Sequence, residues 1–188
     1  MIIRDEDIQV TPNFNMRELY STSFDAPTEH YLDDRTIEAL QYIRTLSGSP
    51  IRVTSTYRTL LHNTAIGGSR TSQHMVGRAI DFQWINNNTY ELTRLHTQMN
   101  DPNSPLRQNL WDIGIRGFGY YQTFCHIDTR PQDKWTTWGD DNAMIDQDGV
   151  TGYLWDEIVP VVKKNQTLII VAIIVLILTS VVLLFSKK

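Results

Sequence analysis

The sequence predicts an α+β domain, a small and mainly antiparallel sheet with flanking helices, followed by one C-terminal transmembrane helix. Three observations lead there. Two segments carry apolar residues at helical spacing, several short segments alternate and are rich in β-branched or aromatic residues, and one long apolar run stands near the end. A chain of 188 residues suits one hydrophobic core. The expected divisions are a domain over 1–155, a linker over 156–166 and a membrane helix over 167–186.

Asn15, followed three residues later by Glu18, has the form of a capping box and predicts a short helix through Leu19. Asp33 or Asp34 should start the first long helix, with Ile37, Leu40, Ile43 and Leu46 as its apolar stripe and Gly48 as its stop. Residues 51–57, IRVTSTY, read as a strand, and 58–73 read as a loop. The segment 78–84, RAIDFQW, is again a strand, with Ala79, Asp81 and Gln83 on one face and Ile80, Phe82 and Trp84 on the other. A second helix is expected over Thr89–Asn100, capped by Asn88, with Leu92, Leu95, His96 and Met99 as its stripe. Strands near 117–121 and 123–129 complete the domain, so that helices come first and the sheet follows.

Residues 168–185, LIIVAIIVLILTSVVLLF, contain only Thr179 and Ser180 as polar residues. As a helix this run is about 27 Å long, close to one hydrocarbon thickness. Lys163 and Lys164 before it balance Lys187 and Lys188 after it, so charge does not orient it. The first residues, MIIRDEDIQVTPNF, lack a basic region followed by an apolar one, so no signal peptide is expected. The reading is a single-pass protein with a C-terminal anchor in a lipid bilayer, in a bacterial cell envelope or a virion membrane.

Charge and cysteine count exclude several classes. Residues 1–166 carry 15 basic and 21 acidic side chains, a net −6, with no basic run interleaved with aromatics, so no nucleic-acid partner is expected. Cys125 is the one cysteine, which excludes an internal disulfide and any zinc site built on cysteine pairs. The acidic residues 140–148 do not fit a calcium loop: alignment on Gly149 puts Met144 first and Trp155 last.

His74, Asp81 and His126 stand out as candidates for chemistry. Two imidazoles and a carboxylate suit a catalytic zinc, because three protein ligands leave one tetrahedral position open. Alternation puts Phe124, His126 and Asp128 on one strand face and Cys125 and Ile127 behind, although spacing alone does not bring the three candidates together. His96 falls within an apolar helix stripe and reads as a core histidine, His62 as a loop residue, and Cys125 as a small core residue. Trp135 and Trp138 either wall a cleft or pack over the sheet.

Residues 72–81 read S-x-H-x-x-G-x-A-x-D. This pattern resembles the signature of the D-alanyl-D-alanine-type zinc peptidases, which include VanY-like carboxypeptidases and phage endolysins. Asn13-Phe14 with Glu18, Ser55-Thr56-Tyr57-Arg58, and Asn63 with Gly67-Gly68 resemble further family elements, and Phe124-Cys125-His126-Ile127-Asp128 resembles the F-x-H-x-D strand of an endopeptidase-like branch. The resemblance implies zinc held by His74, Asp81 and His126, with Arg58 as a cation near the substrate carbonyl or carboxylate. It also implies action on peptidoglycan peptide stems, as an endopeptidase rather than a carboxypeptidase. Some relatives carry a second His two residues before the last ligand, or an acid three before it. Here those positions are Phe124 and Thr123. Asp128 is then either the catalytic acid or base, or a partner that orients an imidazole. The same resemblance admits a zinc-stabilised module that binds cell wall or protein without catalysis, since Hedgehog signalling domains are similar, and a structural protein of a virion membrane.

Overall fold

The structure, a computed structural model, describes residues 1–85 and 89–139 of the chain. In chain order it contains β1 (Ile2–Arg4), β2 (Gln9–Thr11), β3 (Phe14–Asn15), a 3-10 turn at Arg17–Leu19, β4 (Glu29–Tyr31), α1 (Asp34–Ser47), β5 (Ile51–Ser55) and α2 (Leu60–Ala65). A second 3-10 turn at Gln73–Val76 leads to β6 (Ala79–Trp84), α3 (Thr89–Asn100), α4 (Pro105–Ile113), β7 (Gly117–Tyr120), β8 (Cys125–Asp128) and β9 (Thr136–Gly139).

Local chemistry accounts for most boundaries. Asn15 Oδ1 accepts from the Glu18 amide at 3.0 Å and Glu18 Oε2 accepts from the Asn15 amide at 2.9 Å, a reciprocal capping box. It opens only one 3-10 turn, because Tyr20 already returns to extended backbone. The Asp33 side chain caps α1 by accepting from the Arg35 amide, and Gly48 closes the helix in the left-handed conformation. Ile37, Leu40 and Ile43 are buried as expected, whereas Leu46 at the helix end is exposed.

The expected order of helices first and sheet second needs correction. Two small sheets, β1-β4 and β2-β3, precede α1, and α3 and α4 lie between strands of the main sheet. Helix α2 interrupts the expected loop 58–73. Thr59 caps it by accepting from the His62 amide, while Leu60 and Leu61 are exposed, so no apolar stripe announces it. Helix α4 is bounded by a Ser104 cap, Pro105 in the first turn and left-handed Gly114.

The main sheet has the order β5-β6-β8-β7-β9. All pairings are antiparallel except β7 with β9. Ile80, Phe82, Trp84, Phe118, Cys125 and Ile127 join Ile37, Leu40 and Ile43 of α1, Leu92, Leu95 and Met99 of α3, and Leu110 of α4 in one buried cluster. By strand alternation, Asp81, His126 and Asp128 point to the other face. Register then sets a row across all five strands: Ser55 opposite Asp81, Asp81 opposite His126, His126 opposite Gly119, and Gly119 opposite Trp138. A shift in the β5-β6 pairing between Val53 and Ser55 brings Ser55 into this row.

The described residues belong to one compact unit, Met1–Ala143. The Asn88 cap, the expected boundary at 155, the linker 156–166 and the membrane helix 167–186 lie outside the described residues. Among the described residues, no helix is long and apolar enough to cross a membrane.

Candidate metal centre

The centre joins three segments. His74 comes from the 3-10 turn before β6, Asp81 from the middle of β6, and His126 from β8, directly opposite Asp81. Gly77 lets the turn feed β6: its φ is 65°, and a Cβ there would lie 2.1 Å from the Tyr31 carbonyl oxygen. All three candidate ligands are buried. Among the described residues they form a single group of His, Cys, Asp or Glu able to hold a metal ion.

Hydrogen bonds decide which atoms face inward. His74 Nδ1 donates to the Thr56 carbonyl, so its Nε2 presents a lone pair. His126 Nε2 donates to Asp128 Oδ2 at 2.9 Å, so its Nδ1 is the inward atom. His74 Nε2 lies 3.1 Å from both Asp81 Oδ1 and His126 Nδ1, and the last two atoms are 2.7 Å apart. With both imidazoles neutral, three acceptors meet with no proton among them. A divalent cation satisfies all three, and two nitrogens with one carboxylate oxygen are a donor set that zinc accepts.

The charges around the centre are balanced. Arg58 donates from Nη2 to Asp81 Oδ2 and from Nε to Ser55 Oγ at 2.8 Å, while its Nη1 makes no hydrogen bond among the described residues. Asp128 is wholly buried, and Arg130 donates to it from its backbone amide, Nε and Nη2 at 3.0, 2.8 and 2.6 Å. Burial opposes charge on Asp81, but the His74 and His126 imidazoles outweigh it and hold the carboxyl well below the usual range. Asp128 is held low against its burial by the Arg130 hydrogen bonds and by His126. Burial, the largest influence on His74, pushes its pKa down. At His126 burial acts in the same direction, yet the hydrogen bonds to Asp128 and Asp81 and the charges of both carboxylates prevail and push its pKa up to about 8.

The other sequence candidates lie elsewhere or play a different part. His96 is buried on the helical side of the sheet, 3.6 Å from Cys125 Sγ, and burial pushes its pKa down to about 4. His30 stacks on Tyr57, and its Nε2 accepts from the Ser21 amide. The His62 ring tilts against Phe24 at 5.2 Å. Phe124 stacks on Tyr121, with ring centroids 4.2 Å apart. Trp135 lines a cavity of about 280 Å³ with Trp111 and Arg107, whereas Trp138 stands beside His126. Sequence reading missed Arg130, whose only signal was its place two residues after Asp128. It also missed the Thr56 carbonyl, which no side-chain pattern could show.

A family model described as Peptidase M15 matches residues 11–128, or 118 of 188 residues. No curated protein matches the chain. The matched span contains His74, Asp81 and His126 and ends at Asp128, the residue that holds the last of them. The chain therefore belongs to the M15 peptidases, the D-Ala-D-Ala zinc peptidase family, which implies a metallopeptidase, and a His/Asp/His cluster able to hold a metal ion lies within the matched span.

Proposed function

We propose that the protein is a zinc-dependent peptidoglycan peptidase, an endopeptidase acting on cross-linked peptide stems, held on a membrane by residues 167–186. One observation carries the reading: three acceptor atoms face one another within 3.1 Å, each fixed from behind by its own hydrogen-bond partner. Family membership supports metallopeptidase chemistry, and the apolar run 168–185 supports the anchor.

When bound there, zinc supplies Lewis acidity toward a carbonyl and toward water. His74 and His126 each turn one ring nitrogen inward, because their outer N–H groups are engaged by Thr56 and Asp128, and His126 gives up its inner proton when the metal binds. Arg58, whose Nη1 makes no hydrogen bond among the described residues, would stabilise negative charge developing on the substrate or bind a terminal carboxylate. Asp128 acts as a positioning residue: its oxygens are occupied by His126 and Arg130, and its low pKa makes it a poor proton carrier.

A second reading, a zinc-stabilised module that binds cell wall or a partner without cleaving it, is favoured by Thr123 and Phe124 standing where relatives carry an acid or a second His. Chromatography of fragments released from purified sacculi separates the two. We expect soluble muropeptides that vanish with a chelator and return with zinc. Zinc uptake with no fragment released would establish the binding module instead. An anchored wall hydrolase suits a cell envelope or a virion membrane, and fractionation of particles and of uninfected cells distinguishes these locations.

A further inference from the structure

We propose that strand β9, which lies beyond the matched family span, completes the centre: Trp138, seated over Gly119 and tied to Arg130, is a positioning residue for His126. The proposal rests on the zinc reading of the His/Asp/His group.

The row across the sheet supplies the reason. Between His126 on β8 and Trp138 on β9 stands Gly119 on β7, opposite both. Same-face side chains across two pairings are normally separated by the residue between them. Here that residue has none, and the indole occupies the space. A Cβ on Gly119 would lie 2.9 Å from Trp138 Nε1 and 3.1 Å from His126 Cβ. The Trp138 and His126 ring centroids are 5.2 Å apart.

The indole is itself fixed on two further sides. Its Nε1 donates to the Tyr121 hydroxyl at 3.0 Å, and the Arg130 guanidinium lies over its ring at 4.4 Å. The same guanidinium holds both oxygens of Asp128, which in turn accepts from His126 Nε2. His126 is thus held twice, at its outer nitrogen by Asp128 and on its ring by Trp138, with Arg130 joining the two supports. A ligand whose ring is held in one orientation loses less freedom when it binds a metal.

Zinc affinity of the full chain, measured by competition with a chromophoric chelator, tests this. Trp138→Leu and Gly119→Ala should each weaken zinc binding about ten-fold or more. Trp138→Phe, which keeps a ring over Gly119, should restore most of the affinity. Melting of the metal-free variants checks their folding; should Trp138→Leu unfold, Gly119→Ala, which removes no atom, carries the test. A spectroscopic readout is independent of activity. Zinc should change the tryptophan emission of the wild type, and most of that change should disappear in Trp138→Phe. Wild-type affinity in folded Trp138→Leu and Gly119→Ala overturns the role of β9 and leaves the zinc reading standing. Failure of the wild-type chain to take up zinc overturns both.

Discussion

At His126 two opposing demands meet. Its neighbours stabilise the imidazolium in the metal-free protein, while a metal requires the neutral ring. With the His126 pKa pushed up to about 8, zinc must displace a proton at neutral pH. Apparent zinc affinity should therefore rise about ten-fold per pH unit below 8 and level off above it, as measured by chelator competition across that range. The sign for folding is the opposite. A raised folded-state pKa stabilises the metal-free protein fully below the unfolded value near 6.5, and this contribution is lost as pH rises through about 8. Melting of the metal-free chain should accordingly decline over that interval, by an amount on the order of 1–2 kcal/mol. His126→Ala removes a ligand outright, and zinc retention and turnover of sacculi should both fall to background. Asp128→Asn keeps the shape but loses the charge that holds the imidazole, and should weaken zinc binding by about 10–100-fold.

The elements differ in how much of them the sequence reveals. Helix α3 is found at Thr89–Asn100 as expected, because Leu92, Leu95, His96 and Met99 are its buried side and keep strict helical spacing. Strands β6 and β8 are legible through alternation, and their motif residues face one way. Helix α2 is hidden because its apolar residues Leu60 and Leu61 are exposed, and β9 because Thr136–Gly139 is too short for a pattern and pairs in parallel with residues 19 positions earlier. The convergence of His74, Asp81 and His126 depends on the register Asp81 opposite His126, a long-range property no local signal carries. At this scale Gly77 gives a direct test. Gly77→Ala imposes a side chain at φ 65° against the Tyr31 carbonyl and should cost at least about 2 kcal/mol, read as a lower urea midpoint. Because Gly77 lies between His74 and Asp81, zinc affinity should fall with it.

For the whole chain, the catalytic unit and its attachment are separable expectations. The full chain should sediment with membranes and resist alkaline carbonate, whereas a chain ending at residue 166 should appear in the supernatant. Within the domain, each carboxylate of the centre is neutralised by an arginine, Asp81 by Arg58 and Asp128 by Arg130. A divalent ion added to this balanced set leaves the centre with a net positive charge.

The row from Ser55 to Trp138 also limits how such a chain can vary. Inserting or deleting one residue within 79–84 or 125–128 would swing Asp81 or His126 to the opposite side of the pleat, among Phe82 and Ile127, where no ion could be held. Segments that merely span the gap between strands face no such parity rule. An extra residue beside Asn103, in the turn joining α3 to α4, should leave metal uptake intact, so length differences among related chains should gather there and spare the paired strands.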